Sequence, residues 1–169
     1  ESDKKIGMVG PKILNSDGSL QLSCKRSFPT IKAALPKIFG LDKLFPKSKW
    51  MGRYNLTYLD PDDNHIVDAI SGSCMLIKES VFRKINGFDE RFFMFGEDID
   101  ICLRLRLAGY QIIKVASSTV YHIGFASHEE KNHKKHDILR NWHFCWSKFY
   151  LLNKHYDGLM KTGKNRKLA

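Results

Sequence analysis

The segment GFDERFFMFGEDIDICLRLRLAGY, residues 87–110, constrains the fold more than any other stretch, because aromatic and carboxylate side chains are neighbours in it. The phenylalanines of residues 92–95 favour burial, whereas Glu97 and Asp98 ordinarily face water. Such an arrangement either starts a helix, whose free N–H groups stabilise carboxylates, or builds a site with a partly desolvated carboxylate. The segment therefore predicts a helix start and a candidate site at the same point, and both interpretations stay open.

Residues 99–107 alternate in hydrophobicity with the period of a strand, but their charges are ordered as in a helix. Glu97, Asp98 and Asp100 come first, two arginines come last, and Gly109 follows where helices commonly end. We therefore predict a helix that is buried over much of its surface. Asp98 and Asp100 also spell a DxD metal motif, which we reject because side chains two positions apart on a helix point about 200° apart.

Hydrophobic runs separated by turn residues predict the remaining elements. Predicted strands cover residues 6–14, 20–25, 65–70, 74–79, 110–116 and 118–123, and predicted helices cover residues 30–40, 80–85 and 128–156. Asp60-Pro61-Asp62 spells DxD as well, but its surroundings favour ordinary turn chemistry. The pattern predicts one mixed α/β domain followed by a long helix.

The formal net charge of +10 arises mostly at the C-terminal end, where residues from Lys131 onward include ten Lys/Arg and two Asp/Glu. Six apolar side chains of the 128–156 helix form one stripe: Ile138, Trp142, Cys145, Phe149, Leu152 and Tyr156. We expect this stripe to pack on the domain first, and a membrane surface second. Residues 157–169 are predicted to be a loose basic tail. The charge also allows a nucleic-acid partner, but no nucleic-acid-binding motif accompanies it.

Two further features have both a structural and a functional interpretation. His122 ends the last predicted strand, as an ordinary edge histidine or as a ligand of a metal or phosphate. Ser71-Gly72-Ser73 separates two predicted strands, where the glycine either marks a bulge or lets the backbone approach a ligand closely.

The run VDAISGSCMLIKESVFRKINGFDERFFMFGEDIDICLRLRLAGYQIIKVASSTVYHIGFAS, residues 67–127, resembles the family 2 glycosyltransferases, near their bacterial rhamnosyltransferase-like members. The similarity lies in a strand of the type SGxxMLI, in a GFDExFFxxxEDxDxC pattern, and in a strand that ends in His-x-Gly. The opening GMVGPKILNSDGSLQLSCKRSFPT, residues 7–30, also resembles a segment of that family, so the resemblance covers nearly the whole chain.

This resemblance implies a mixed α/β fold, the C-terminal, acceptor-side portion of the GT-A (nucleotide-diphospho-sugar transferase) fold. It implies inverting transfer of a sugar from a nucleotide-sugar to a saccharide or lipid-linked acceptor in cell-surface polysaccharide synthesis. Asp98 matches the proposed general base, Glu97 is expected to orient the acceptor, and Phe95 is expected to line the acceptor side. Ser71, Gly72 and Ser73 match the loop beside the donor sugar, and His122 matches a histidine that in some members helps hold a divalent metal.

The resemblance also implies what this chain lacks. The family's nucleotide-binding half is absent, so the donor and the main ligands of a Mg or Mn ion are expected to lie outside it. Residues 1–127 would then be the acceptor-side part of a longer enzyme and inactive alone. No QxxRW follows Asp98, which favours a single addition over processive synthesis. The implied location is the cytoplasm, at the inner face of the membrane. Peripheral membrane contact and a homodimer are open, a non-catalytic dimerisation module and a basic nucleic-acid-binding domain are the alternatives, and nucleic acid is disfavoured.

Overall fold

The computed structural model describes residues 5–123 and 133–164, and within the last helix the side chains of residues 137–156. The fold is mixed α/β with one four-stranded sheet, ordered β2-β4-β1-β3. The strands are β1 (Ile6–Leu14), β2 (His65–Val67), β3 (Leu76–Ile77) and β4 (Gln111–Tyr121). The two long strands β1 and β4 are parallel neighbours at the centre, and the short strands pair antiparallel at the edges. The predicted strands at 65–70 and 74–79 are thus present in shortened form.

The helices are α1 (Ile31–Ile38), α2 (Leu41–Leu44), α3 (Glu79–Lys84), α4 (Glu97–Leu107) and α5 (His133–Lys164). The predicted helix at the carboxylates is confirmed as α4, and Gly109 follows its end with a left-handed φ of 85°. Ile101, Leu103 and Leu105 are all fully buried in the core, together with Met8 and Ile112 of the central strands. Burial on several sides of α4 explains why its sequence alternates like a strand.

The strand β4 is continuous, so the predicted break between strands 110–116 and 118–123 is wrong. Pro11 pairs with Val115, but the next residue of β1, Lys12, pairs with Thr119, so β4 bulges between these two register positions. The Ala116 N–H in this bulge donates to Asn64 Oδ1 at 2.7 Å. The bulge satisfies its backbone through a side chain from another segment, which a local pattern does not reveal.

The predicted return strand at 20–25 is also wrong. Only Leu20 makes a bridge to β1, and a short 3₁₀ helix, Leu22–Cys24, follows. The chain turns here to bring Lys25 into the interior, where its Nζ donates to the carbonyls of Leu56, at 3.1 Å, and Leu59, at 2.5 Å. Burial lowers the pKa of this ammonium, and carbonyl partners offset part of the desolvation. Lys25 thereby fixes the loop around residues 56–59.

The face of α5 that packs on the domain differs from the predicted one. The stripe Ile138, Trp142, Cys145, Phe149, Leu152 and Tyr156 is exposed along the described part of the chain, so its predicted packing on the domain is wrong. The packed face consists of Ser147, Tyr150, Leu151, Lys154 and His155. Polar contacts to residues far away in sequence select this face, which a stripe of apolar positions does not show.

The helix α5 has a non-helical residue at His155, with φ −122°, and its helical backbone extends to Lys164. The predicted end at Tyr156 and the loose tail beyond it are therefore wrong as far as Lys164. The predicted beginning at 128–132 and the end of the tail, 165–169, lie outside the described residues. Among the helices that the structure describes, none combines the length and apolarity that crossing a bilayer requires.

Candidate active site

The first turn of α4 holds Glu97 and Asp98 beside the loop of residues 70–73. Gly96 precedes it with a left-handed φ of 83°, a conformation that a glycine adopts without strain. The Asp98 Oδ1 atom accepts a hydrogen bond from the Ile99 N–H at 2.8 Å. A carboxylate in this position is stabilised by the free N–H groups and the dipole of the helix.

The other oxygen of Asp98 joins two distant segments. Arg26 Nη2 donates to Asp98 Oδ2 at 2.5 Å and to the Ile70 carbonyl at 3.2 Å, and the Gly72 N–H approaches Oδ2 at 3.3 Å. The side chains of Arg26 and Asp98 are only 14% and 15% exposed. Asp98 is thus a fixed, partly desolvated carboxylate, as a general base requires.

Arg26 is a site residue that the sequence did not reveal. Its backbone pairs with Ala69, at 2.9 and 3.0 Å, which directs its side chain towards α4. Burial works against its charge, but the neighbouring Asp98 carboxylate outweighs that effect and raises the pKa of the guanidinium. Its Nε is buried without a hydrogen-bond partner among the described residues. Nothing local in SCKRSF, residues 23–28, signals that Arg26 pairs with a carboxylate 72 positions away.

The loop Ser71-Gly72-Ser73 lies directly against the two carboxylates. A Cβ atom on Gly72 would be 3.4 Å from Asp98 Cβ and 3.6 Å from Glu97 Oε1, which is ordinary van der Waals contact, so the Gly72 backbone lies beside both carboxylates. The two serine hydroxyls lie 2.5 Å apart, and the Ser73 N–H approaches Ser71 Oγ at 3.3 Å. The structure therefore brings five of the predicted site residues together at one end of α4.

Glu97 is half-buried, and its Oε2 atom is buried without a hydrogen-bond partner in the part of the chain that the structure describes. Burial raises the pKa of this carboxyl, and the nearby Asp98 acts in the same direction. This unpaired oxygen belongs to a side chain that lies beside Asp98 and Gly72, and the contact of Glu97 with an acceptor stays a prediction. The desolvation of this carboxyl also has a consequence for stability.

Glu97→Gln is expected to stabilise the fold near neutral pH. Because the folded-state pKa lies above the unfolded value of about 4.5, keeping Glu97 ionised costs free energy above the folded pKa. That cost disappears as the pH falls below the unfolded value. Urea unfolding should therefore show a more stable variant at pH 7 and a smaller difference at pH 4. Glu79→Gln, on the exposed surface of α3, is the control, and a Glu97→Gln chain less stable than the parent at pH 7 would contradict the prediction.

The phenylalanines that precede α4 are held by α5. Phe92 is buried against Tyr150, with ring centroids 4.9 Å apart, and Phe95 meets Phe144 edge-on at 5.7 Å. Phe95 also has a left-handed φ of 66°, which is uncommon for a residue other than glycine. Phe95 directly precedes Gly96, so the two consecutive left-handed residues lie just before the first turn of α4. Its contact with an acceptor stays a prediction.

His122 follows β4 and lies exposed, away from the contacts made by Asp98. Its Nδ1 is 2.9 Å from Gln21 Nε2 and 3.3 Å from Gln21 Oε1. A partner on one imidazole nitrogen is typical of histidines that bind a metal through the other. However, no group of three His, Cys, Asp or Glu side chains suited to a metal ion occurs among the described residues. The role of His122 as one ligand of a divalent ion stays a prediction.

Asp100 has a structural environment, unlike Asp98. It is fully buried, and its carboxylate contacts Arg104 at 2.7 Å, Lys154 at 2.7 Å and His155 Nε2 at 2.6 Å. Burial alone would raise the pKa of Asp100, but hydrogen bonds from His155, Lys154 and Arg104 lower it. Asp98 contacts Arg26 and Gly72, whereas Asp100 contacts Arg104, Lys154 and His155. The two side chains have separate partners, as expected when a DxD metal site is rejected here.

The second DxD sequence is a turn, as predicted. The Asp62 N–H donates to Asp60 Oδ1 at 2.8 Å, so the Asp60 side chain closes its own turn. Asp62 pairs with Lys12 at 2.5 Å on the surface, with 74% of the aspartate side chain exposed. The two carboxylates thus have different partners, the Asp62 N–H for Asp60 and the Lys12 ammonium for Asp62.

Comparison with known proteins finds similar glycosyltransferases. Residues 62–130 match the family model described as the N-terminal domain of galactosyltransferase. An N-acetylglucosaminyl-diphospho-decaprenol L-rhamnosyltransferase from Mycobacterium tuberculosis is 35% identical over 118 residues, 70% of this chain and 38% of that protein. A rhamnosyltransferase from Escherichia coli is 43% identical over 67 residues, 40% of this chain and 25% of its own length. A hexosyltransferase of low-salt glycan biosynthesis from Haloferax volcanii is 35% identical over 59% of this chain and 27% of its own length.

The family model covers the carboxylates, the serine–glycine loop and the strands β2, β3 and β4. Over 70% of its length the chain is similar to a rhamnosyltransferase, which supports the resemblance to the rhamnosyltransferase-like glycosyltransferases of family 2. It spans well under half the length of the relatives that it matches.

Proposed function

We propose that this chain is the acceptor-side part of an inverting glycosyltransferase with a GT-A fold. It would transfer a sugar, of the rhamnose type, from a nucleotide-sugar to a saccharide or lipid-linked acceptor in cell-surface polysaccharide synthesis. The single observation that carries this proposal is Asp98, fixed by Arg26 and Gly72 and mostly shielded from water at the start of α4. The relatives are rhamnosyltransferases by name, which indicates the class of reaction.

In the proposed reaction, Asp98 accepts the proton of the acceptor hydroxyl. The hydroxyl oxygen forms a bond to the anomeric carbon of the donor, from the face opposite the leaving group. The bond from that carbon to the diphosphate breaks, and the nucleoside diphosphate leaves with the electron pair. The sugar is therefore transferred with inversion, and Asp98 returns the proton to solvent.

The geometry leaves a lone pair of Asp98 for the substrate. Oδ2 accepts from Arg26 and approaches Gly72 N, whereas Oδ1 has one backbone donor, Ile99 N. A carboxylate oxygen accepts two hydrogen bonds, so Oδ1 can still accept from a hydroxyl. Glu97, with its unpaired Oε2, would orient the same acceptor, and Phe95 would form part of the wall.

A divalent metal, Mg or Mn, would stabilise the leaving diphosphate when it is bound. We propose that its main ligands lie outside this chain and that His122 supplies one imidazole. Ser71, Gly72 and Ser73 would border the donor sugar, because they lie against the base. The donor nucleotide itself would be recognised by residues upstream.

Calorimetric titration tests this division. The present chain and a chain extended upstream are titrated with UDP- and dTDP-sugars in the presence of Mn²⁺. We expect binding only by the extended chain, followed by transfer to a lipid-linked acceptor. Tight binding by the present chain would contradict the proposed division, and an extended chain that neither binds nor transfers would contradict the activity.

The exposed stripe of α5 supports a second interface. Trp142 and Phe149 belong to an apolar row that the described part of the domain does not cover. We propose that it mediates self-association, because exposed apolar patches commonly mark protein interfaces. Light scattering should show a dimer that Trp142→Ser/Phe149→Ser converts to a monomer, in both the present and the extended chain. We propose that the enzyme is located in the cytoplasm, at the inner face of the membrane.

A further inference from the structure

The helix α1 turns its large apolar side chains towards solvent and its small ones towards the domain. The side chains that it turns inward are small: Ala33 is fully buried and Pro36 is buried. The side chains that it turns outward are large and apolar, with Ile31 71%, Ile38 73% and Phe39 72% exposed. A water-facing helix of a monomeric domain normally has the opposite arrangement. Its outer face is therefore suited to contact with something apolar.

The apolar surface continues beyond α1. Gly40, with a left-handed φ of 68°, turns the chain directly into α2, and the two helices are in contact. Leu44, Phe45 and Trp50 follow, 70%, 55% and 58% exposed. The outer side of residues 31–50 thus presents aliphatic and aromatic side chains from two helices and the following turn.

The charges around this surface have one sign. Residues 31–53 contain six Lys/Arg and one acidic residue, Asp42, which is buried. The exposed lysines are Lys32, Lys37, Lys43, Lys47 and Lys49. Lysines beside exposed apolar and aromatic side chains are typical of segments that lie in the interface of an anionic bilayer. Lysine is depleted at protein–protein interfaces, so a surface with several exposed lysines is less typical of a protein partner.

The segment also leaves and rejoins the domain at the candidate site. The Ser27 N–H donates to the Tyr54 carbonyl at 2.8 Å, so the two ends of the excursion are joined. Ser27 follows Arg26, which holds Asp98. Where the segment rejoins the domain at Tyr54, Lys37 Nζ lies 4.1 Å from the ring centroid of this tyrosine. A surface that binds lipid here would bring the site close to the membrane.

We propose that α1, α2 and residues 45–50 form a docking surface for a bilayer that contains anionic lipids. The apolar side chains Ile31, Ile38 and Phe39 enter the interface, and the lysines contact the headgroups. This places membrane contact on residues 31–50; on α5, Lys154 is paired inward with Asp89 and Asp100. The inference rests on exposure and charge, and it is independent of the proposed activity.

Vesicle sedimentation tests the proposal without any donor or acceptor. Vesicles of equal parts phosphatidylglycerol and phosphatidylcholine are compared with pure phosphatidylcholine. We expect binding at least tenfold stronger to the anionic vesicles. Ile38→Ser/Phe39→Ser should weaken it at least tenfold, and Lys43→Gln/Lys47→Gln/Lys49→Gln about a hundredfold, at roughly fivefold per lysine near the surface. The matched control, Ile138→Ser/Trp142→Ser on α5, should change it less than threefold.

A second readout follows Trp50 itself. In a Trp142→Phe/Trp146→Phe background, Trp50 is the remaining tryptophan, and brominated lipids should quench its fluorescence. Each variant is checked by circular dichroism for a folded state. Equal binding of the α1 variants and the parent chain would overturn the proposal, and so would an unquenched Trp50. A change of oligomeric state in the α1 variants without a change in vesicle binding would identify a protein interface instead.

Discussion

Asp98→Asn in the full-length enzyme is expected to lower kcat about 100-fold or more, with a small change in KM. Loss of a general base removes the acceptor for the hydroxyl proton in the transition state, an effect of roughly 10²–10⁴. Asparagine keeps one carbonyl oxygen for Arg26 and the Gly72 N–H, but its NH₂ group replaces the oxygen that accepts from the Ile99 N–H, so one local hydrogen bond is lost. Initial rates of sugar transfer at saturating donor and acceptor measure this effect.

The matched control is Asp62→Asn, the same chemical change in an exposed turn. We expect its rates to stay within about twofold of the parent. An Asp98→Asn enzyme within threefold of the parent would refute the base assignment. A large loss in Glu97→Gln together with a small loss in Asp98→Asn would assign the proton transfer to Glu97 instead.

Asp100→Ala is expected to destabilise the fold by about 3 to 5 kcal/mol, the usual cost of removing one partner of a buried ion pair. The substitution leaves Arg104, Lys154 and His155 without the carboxylate that joins them. The lower end of that range is expected, because Lys154 keeps Asp89 and the Arg104 guanidinium keeps the Gly87 carbonyl. Urea unfolding followed by circular dichroism measures the difference.

The control for this prediction is Asp137→Ala, which removes an exposed pair with Arg140 at 2.9 Å. Exposed pairs contribute about 0 to 1 kcal/mol, so this variant should unfold close to the parent. If Asp100→Ala were as stable as Asp137→Ala, the buried network would not anchor α5 on α4. Loss of the α5 contact without global unfolding would appear as a separate early transition.

The elements that could be predicted depend on residues close together in sequence. The helix α4 begins at Glu97 and ends before Gly109, because helix-start charges, apolar residues and a terminal glycine act within a few turns. The turn at Asp60 was predictable for the same reason. The resemblance assigned the loop of residues 71–73 to the donor sugar and Asp98 to the acceptor hydroxyl, and in the structure Gly72 of this loop contacts Asp98.

The wrong predictions depend on partners far away in sequence. The bulge in β4 is satisfied by Asn64, 52 positions from Ala116, and the packed face of α5 includes His155, 55 positions from Asp100. Lys25 is not part of a strand, contrary to the prediction, because carbonyls 31 and 34 positions away accept hydrogen bonds from its side chain in the interior. In each case a polar contact overrides a hydrophobic pattern.

The sequence by itself determined the resemblance to glycosyltransferases, the helix at the carboxylates and the positions of the candidate catalytic side chains, since these reside in contiguous motifs. Only the tertiary structure decided that Arg26 holds Asp98, that Asp100 is structural, and that the large apolar side chains of α1 face outward. Hydrophobic periodicity shows that a helix has an apolar face, but the direction of that face is set by what surrounds it. Those surroundings exist only after distant segments have packed.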